Sequence, residues 1–248
     1  MSAAEYIIEP ARVLLNSLAN FAFPPVCGQC HRLSSDGLTG GICSQCWATT
    51  MVWREGQCQR CGGEAPAGNS LCRGCLIPDW GCSDIRTIGP FQPPLSEAIH
   101  RLKYSDARRV ARRLGDLLAA RLEGVGRYLQ ARMVLAVPLH PARRRERGYN
   151  QAQLLAERLG QALRVPAPEG LLSRARNNQS QTTLNKEQRR RNVDGIFAVT
   201  DPGLIKGRRI ILVDDVLTTG ATIGSCGHAL LAAGASEVLA CTAAAAPL

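Results

Sequence analysis

The chain has 248 residues, of which 45% are hydrophobic and 20% are charged, so its composition is that of a folded globular protein and excludes a disordered or fibrous one. Its formal net charge of +10 favours an anionic substrate or a polyanionic partner, although a solvated basic surface would carry the same charge. No apolar stretch is long enough to span a bilayer, and residues 1–25 fit neither a signal peptide nor a transit peptide. We therefore expect a cytoplasmic protein, free or at the inner face of the membrane.

The first 25 residues carry apolar side chains at helical spacing, which predicts an N-terminal amphipathic helix. The apolar stripe consists of Ile7, Ile8, Ala11, Leu14, Leu15, Leu18 and Ala22. We expect such a stripe to pack on its own domain, with a membrane surface as the alternative.

Eight of the eleven cysteines form four Cys-x-x-Cys pairs, and the second half of this segment repeats the first. The pairs are Cys27/Cys30, Cys43/Cys46, Cys58/Cys61 and Cys72/Cys75. A two-residue spacer lets both thiolates of a pair bind one tetrahedral metal ion, and the cytoplasm keeps thiols reduced. We therefore predict a double zinc ribbon with one or two Zn²⁺ ions, and buried free thiols or a redox pair are the alternative.

The way in which the pairs share metal ions stays open at this point. Two sequential sites, a crossed arrangement and one empty site all fit the spacing. Four thiolates leave no coordination position for water or substrate, so zinc here is expected to be structural. The arginines near the pairs would either meet nucleic acid phosphates or be solvated, and these are Arg32, Arg54, Arg60 and Arg73.

After residue 80, apolar runs alternate with amphipathic segments, which is typical of an α/β domain with a parallel sheet. Predicted strands cover residues 84–88, 133–137, 171–173, 196–199, 210–213 and 238–242. Predicted helices cover residues 95–103, 107–122, 150–163 and 223–233. The second helix has a basic outer face that we expect to be solvated, formed by Arg108, Arg109, Arg112 and Arg113.

The predicted strand at residues 210–213 leads into two adjacent carboxylates, a loop of hydroxyl and small side chains, and a helix. The carboxylates are those of Asp214 and Asp215, and the loop contains Thr218, Thr219, Gly220, Ala221 and Thr222. Backbone N–H groups at such a helix start bind phosphate, while the two acids accept hydrogen bonds from a neighbouring diol. The combination predicts a ribose 5-phosphate site, and an ordinary capped turn is the alternative.

This stretch resembles the phosphoribosyl pyrophosphate (PRPP) signature of type I phosphoribosyltransferases. The resemblance implies that Mg²⁺ binds together with PRPP, and that a loop after a second strand holds the pyrophosphate. The corresponding loop follows the strand at residues 133–137, and its candidates are Arg143 and Arg147 with the backbone of Leu139 and His140. We interpret the His140 side chain as a loop histidine, with an acid/base role as the alternative.

Taken together, the motifs are similar to those of the ComF family over most of the chain. They comprise the four cysteine pairs, Val137-Pro138-Leu139-His140-Pro141, Arg143, Arg145, Arg147-Gly148-Tyr149-Asn150-Gln151, Gln181-Thr182, Arg191-Asn192-Val193, Gly195, Phe197 and Asp214-Asp215. Tyr149 stands where phenylalanine is common in the family. The family combines a zinc-binding segment with a type I phosphoribosyltransferase domain, and it is associated with natural competence, uptake of single-stranded DNA or use of DNA as a nutrient.

The resemblance implies a Rossmann-like parallel sheet flanked by helices, preceded by a zinc-ribbon segment. The expected division is an N-terminal helix at residues 1–25, a double zinc ribbon at 26–80 and a phosphoribosyltransferase-like domain at 81–248. The polar stretch at residues 174–191 is expected to be a lid over the PRPP site, with disorder as the alternative.

The expected function is that of a PRPP-binding phosphoribosyltransferase-like protein linked to DNA uptake or utilisation. In this role Asp214 and Asp215 hold the ribose hydroxyls, residues 218–222 hold the 5-phosphate, and Arg143 and Arg147 help the pyrophosphate to leave. The acceptor is not identified by the sequence. The alternatives are a PRPP-sensing or DNA-binding accessory protein without catalysis, a nucleobase-salvage enzyme, and a scaffold that recruits DNA-import machinery.

Overall fold

The computed structural model describes residues 25–34, 38–73, 75–76, 80–104, 107–174 and 196–246. The predicted N-terminal helix, and the predicted lid apart from its first residue, lie outside these ranges and stay predictions. The domain boundaries at residues 26 and 81 also stay predictions.

The sheet strands are β1 (Asp84–Pro90), β2 (Met133–Ala136), β5 (Arg209–Leu217) and β6 (Glu237–Ala245). A separate two-stranded sheet contains β3 (Leu172–Arg174) and β4 (Phe197–Val199). The helices are α1 (Ser44–Ala48), α2 (Leu95–Tyr104), α3 (Ala107–Leu122), α4 (Gly126–Leu129), α5 (Pro141–Arg147), α6 (Gln151–Leu163) and α7 (Ala221–Ala232). The four strands of the main sheet run parallel in the order β1–β6–β5–β2, and the two-stranded sheet is antiparallel.

Side chains along β5 alternate between two apolar cores, one on each face of the sheet. Ile211 and Val213 face a core shared with α2, α3 and α6, whereas Ile210 and Leu212 face a core shared with α7 and the two-stranded sheet. Because both faces are covered, the parallel strands are continuous apolar runs in the sequence. None of the helices in the described ranges combines the length and apolar character needed to cross a membrane.

Several elements differ from the sequence predictions. Strand β5 continues to Leu217 instead of ending at residue 213, because its pairing with β6 continues past the acid pair. Helix α7 begins at Ala221 rather than at residue 223. Residues 141–147 form helix α5 rather than a loop, with Pro141 in its first turn and Gly148 as a left-handed C-cap at φ +78°.

The two cysteine-rich segments pack on opposite faces of the sheet. Cys27 and Trp47 belong to the core beneath α2 and α3, whereas Cys58 and Leu71 belong to the core beneath α7. Both segments therefore contribute apolar side chains to the cores of the α/β fold.

Residues 53–59, which lead from the first cysteine cluster into the second, cover the outer edge of β1. The backbone N–H of Trp53 donates to the carbonyl of Ile88 at 2.9 Å, and Oε1 of Gln59 accepts from the N–H of Thr87 at 3.2 Å. These bonds take the place of a neighbouring strand, so this part of β1 is closed to pairing with another chain.

Candidate functional site

The loop that follows β2, residues 137–140 (the Pro138 loop), lies beside the acid pair, which is within β5. The strands are neighbours in the sheet, with Ala136 paired to Val213, and the N–H of Val137 donates to the carbonyl of Val213 at 2.9 Å. Pro138 follows Val137 in the chain, and Asp214 follows Val213. The Pro138 loop and the acid pair are therefore adjacent at one edge of the sheet, where ligands of open α/β sheets bind.

The carboxylate of Asp215 is held by two side chains from helices on one face of the sheet. Nζ of Lys103 in α2 lies 3.0 Å from Oδ2 of Asp215, and Nε2 of Gln151 in α6 donates to the same oxygen at 3.1 Å. Asp215 is only 7% exposed, so water screens the attraction between the two charges less than it would in a surface pair. Lys103 and Gln151 thus hold the carboxylate of Asp215 in one orientation.

Asp214 lies in a different electrostatic environment, although it is adjacent in the chain. Its Oδ1 accepts from the backbone N–H of Asp215 at 2.8 Å, which favours the ionised form. Burial, and secondly the negative charge of Asp215, nevertheless raise the pKa of Asp214 well above its ordinary value. The two acids therefore differ in their surroundings: Asp215 is paired with Lys103, whereas a ligand that brings positive charge beside Asp214 would favour its ionised form.

The loop after β5 presents hydroxyl groups at the start of α7. The side chains of Thr218, Thr219 and Thr222 are exposed, and Oγ1 of Thr219 accepts from the N–H of Ala221 at 3.4 Å. Gly220 is the N-cap of α7 and adopts a left-handed conformation at φ +84°. Exposed hydroxyls and free N–H groups at the start of a helix suit a phosphate group.

Gly220 is also the point at which the cysteine-rich segment supports this loop. The indole ring of Trp80 lies so close to Gly220 that a Cβ built on the glycine would be 2.6 Å from Cζ2 of the ring. Only glycine fits here, because both the left-handed backbone and the packed ring exclude a larger residue. Trp80, which follows the second cysteine cluster, therefore packs against this loop and fixes its position.

The Pro138 loop leads directly into α5, and His140 is the N-cap of this helix. Nδ1 of His140 accepts from the N–H of Ala142 at 3.2 Å, which accounts for the side chain as a loop and capping residue. Asn150, the N-cap of α6, connects back to the start of this loop, since its Nδ2 donates to the carbonyl of Val137 at 3.0 Å.

The two candidate arginines of α5 have different surroundings. Arg143 is exposed on the outside of the helix. The guanidinium group of Arg147 stacks over the ring of Tyr104 at 5.2 Å, and its Nη1 donates to Oε1 of Gln151 at 3.1 Å. Since Gln151 also donates to Asp215, the structure connects Arg147 with the acid pair and leaves Arg143 apart from it.

Three residues of this network were missed as site residues from the sequence: Lys103, Tyr104 and Gln151. Lys103 and Tyr104 lie at the end of α2, which is more than a hundred residues before the acid pair in the chain. Gln151 belongs to the family motif at residues 147–151, which was the one feature of the sequence that could have identified it as a site residue. Its role depends on the packing of α6 beside β5, which no local pattern reveals.

The cysteines form two separate clusters of four, which settles the pairing that the sequence left open. Cys27, Cys30, Cys43 and Cys46 form one group, Cys58, Cys61, Cys72 and Cys75 form the other, and the Sγ atoms within each group lie within 4.8 Å of one another. Sγ–Sγ distances of 3.9 Å for Cys27–Cys46 and 3.8 Å for Cys61–Cys72 match thiolates around one tetrahedral Zn²⁺, whose Zn–S bonds are about 2.3 Å long. Each cluster therefore fits one structural zinc ion, with the pairs used sequentially.

Comparisons with known proteins match both halves of the chain. A model of the phosphoribosyl transferase domain matches residues 146–247, and a model of the double zinc ribbon domain matches residues 18–76. The DNA utilization protein YhgH of Escherichia coli (strain K12) is 34% identical over 204 residues, which cover 80% of this chain and 87% of that protein. Competence protein F of Haemophilus influenzae is 30% identical over 202 residues, which cover 80% of this chain and 87% of that protein.

Among solved structures, glutamine PRPP amidotransferase from B. subtilis has a TM-score of 0.42 and 22% sequence identity, covering 60% of this chain and 30% of that one. The domain models agree with the parallel sheet and with the two cysteine clusters, so the fold is that of a type I phosphoribosyltransferase with an N-terminal double zinc ribbon. With relatives of this identity and coverage, the chain belongs to the ComF family of competence and DNA utilization proteins.

Proposed function

We propose that this protein binds PRPP at the carboxyl edge of its sheet and transfers the ribose phosphate to an acceptor. The observation that carries the proposal is the arrangement of three features at this edge. They are the acid pair in β5, the exposed threonine loop that opens α7, and the adjacent Pro138 loop. A phosphoribosyltransferase domain model over residues 146–247 supports the same reading.

The sugar end of PRPP lies between the acid pair and α7. Asp214 and Asp215 accept hydrogen bonds from the two ribose hydroxyls, directly or through water. The hydroxyls of Thr218, Thr219 and Thr222 and the first N–H groups of α7 bind the 5-phosphate. Gly220 and Ala221 have no bulky side chain, so the phosphate can approach the backbone closely.

The pyrophosphate end lies toward the Pro138 loop. Backbone groups of Leu139 and His140, together with the guanidinium groups of Arg143 and Arg147, stabilise the charge that develops as this group leaves. Carboxylate, hydroxyl and phosphate oxygens are the ligands that Mg²⁺ prefers, so the site fits Mg²⁺ entering with PRPP. When bound, Mg²⁺ would supply further charge neutralisation at the pyrophosphate.

The transfer itself exchanges one bond at the anomeric carbon for another. An acceptor nitrogen forms a bond to this carbon while the bond to the pyrophosphate oxygen breaks, and the electron pair leaves with the pyrophosphate. The proton of the acceptor passes to solvent. The protein contributes by positioning and by charge stabilisation, and no covalent intermediate with the chain is needed.

In the cell, we propose that this activity serves DNA uptake or utilisation in the cytoplasm. The relatives are named DNA utilization protein and competence protein F. The net charge of +10 and the exposed side chains of Arg108, Arg109 and Arg112 on α3 favour single-stranded DNA, or the machinery that delivers it, as a partner.

Calorimetric titration of the zinc-loaded protein with PRPP and Mg²⁺ tests the proposal. We expect one binding site per chain, lost in an Asp214→Asn/Asp215→Asn double variant and kept in Asp116→Asn, whose carboxylate pairs with Arg158 away from the site. Release of pyrophosphate with a supplied nucleobase would show transfer. Binding without release under any acceptor would instead indicate a PRPP-sensing protein, and absence of binding would overturn the proposal.

A further inference from the structure

Helix α2 ends beside the candidate site with two residues that no sequence motif assigned to it, Lys103 and Tyr104. Lys103 contacts Asp215 of the acid pair at 3.0 Å, while the next residue, Tyr104, lies beneath the guanidinium group of Arg147 at 5.2 Å. The end of α2 therefore spans the gap between the part of the site that faces the ribose and the part that faces the pyrophosphate.

The ammonium group of Lys103 can donate further hydrogen bonds in this position. An ammonium group has three N–H donors, and the contact of Lys103 that the structure shows is to Oδ2 of Asp215. The Lys103 side chain is 24% exposed, so a ligand that lies against Asp215 can reach it. Lys103 can then donate to a phosphate oxygen without giving up the carboxylate.

Arg147 provides a second positive charge, which has no paired carboxylate among the described residues. Within the part of the chain that the structure describes, none of the ion pairs involves Arg147, and its Nε is buried without a hydrogen-bond partner. Its remaining contacts are to Tyr104 and to the neutral amide of Gln151. A guanidinium group that is fixed in orientation but not neutralised attracts an anion.

We propose that Lys103 is a pyrophosphate-binding residue that acts with Arg147 as a two-cation clamp, and that its contact with Asp215 holds it in position for the ligand. Tyr104 stacks against the guanidinium group of Arg147 and accepts a hydrogen bond from it at 3.4 Å. The inference rests on the proposed function and deepens it, because it assigns the charge that favours a pyrophosphate over a simple sugar phosphate at this site.

The test compares two ligands, PRPP with Mg²⁺ and ribose 5-phosphate, on the zinc-loaded protein and three variants. Removing one charged donor from a phosphate is worth about 10- to 100-fold in affinity. We therefore expect Lys103→Met to weaken PRPP binding by about 10- to 100-fold and ribose 5-phosphate binding by less than about threefold. Lys103→Arg keeps most of the PRPP affinity, since it retains the charge.

The exposed Lys206→Met variant is the matched control and is expected to bind both ligands as the unaltered protein does. An equal loss of affinity for both ligands in Lys103→Met would show that Lys103 only orients Asp215, and would overturn the clamp. Unchanged PRPP affinity in a folded Lys103→Met variant would also overturn it. Absence of PRPP binding by the unaltered protein would be a distinct result, because it removes the proposed function itself.

Discussion

The ring of Trp80 lies directly against Gly220, so the residue that follows the second cysteine cluster forms the floor of the candidate phosphate loop. Gly81, the next residue, packs against the backbone of α7 at Gly224 and His228. The cysteine-rich segment and the candidate binding site are therefore structurally joined.

Replacing Gly220 by alanine should reduce PRPP binding strongly. The new Cβ would clash with Trp80 and would also have to adopt φ +84°, so the loop must move away from the position that binds phosphate. We expect at least a tenfold loss of affinity by calorimetry and a folding cost of about 1–3 kcal/mol by denaturant titration.

Gly124→Ala is the control for the backbone effect alone. Gly124 has φ +76°, but a Cβ there would meet nothing within 4 Å. It should cost about 1 kcal/mol of stability and leave PRPP binding unchanged. Equal binding losses in both alanine variants would contradict the role of Trp80.

Removal of zinc should unfold more than the ribbons. Each cluster contributes buried side chains to one of the two cores, and residues 53–59 close the edge of β1. We expect two zinc ions per chain by elemental analysis, and a chelator should lower the melting temperature and abolish PRPP binding together. A Cys82→Ser variant, altered outside both clusters, should keep both metal ions. Unchanged melting after complete loss of zinc would contradict this coupling.

The raised pKa of Asp214 gives stability a negative slope with pH. Its proton is held more tightly in the folded chain than in the unfolded chain, so stability is full below the ordinary value of 3.8 and falls as pH rises above it. Asp214→Asn should therefore raise the melting temperature at pH 8, with a gain that shrinks toward pH 4. It should lose PRPP affinity at the same time, whereas the exposed Glu123→Gln should change neither.

Glu237 should show the opposite dependence on pH. Burial raises its pKa, but hydrogen bonds from Ser83, Arg127 and Arg209 outweigh burial and lower the pKa below its ordinary value of 4.5. Its contribution is therefore present above pH 4.5 and is lost as pH falls. Glu237→Gln should cost about 1–3 kcal/mol at pH 7 by denaturant titration.

The matched control for Glu237 is Glu169→Gln, which removes an ion pair with Arg144 whose side chains are 50% and 49% exposed. This surface pair should be worth about 0–1 kcal/mol. If the two variants were equally stable at pH 7, the hydrogen bonds around Glu237 would contribute no more to stability than the surface pair does.

The sequence predicted those parts of the site that are continuous in the chain. The buried strand, the adjacent acids and the threonine loop follow each other within fifteen residues, so local pattern and motif were sufficient. Helix α5 was missed, although Pro141 and Gly148 are ordinary signals for the start and end of a helix, because the run of arginines between them has no apolar face.

The parts that the sequence did not predict depend on contacts between distant segments. The spacing of the cysteine pairs is the same for sequential and crossed zinc sites, so only the fold distinguishes them. Lys103 is one of three lysines in the chain, and nothing around it in the sequence marks it as the partner of Asp215. Such pairs form only when α2 packs beside β5.

The pairing of β1 has a consequence for the order of events during synthesis. On one side β1 contacts residues 53–59, which leave the ribosome before it, and on the other it pairs with β6, which is synthesised much later. Until residues 237–245 emerge, the nascent chain can satisfy β1 only from its N-terminal side. A metal-loaded ribbon would then shelter this strand from aggregation until β6 has been synthesised.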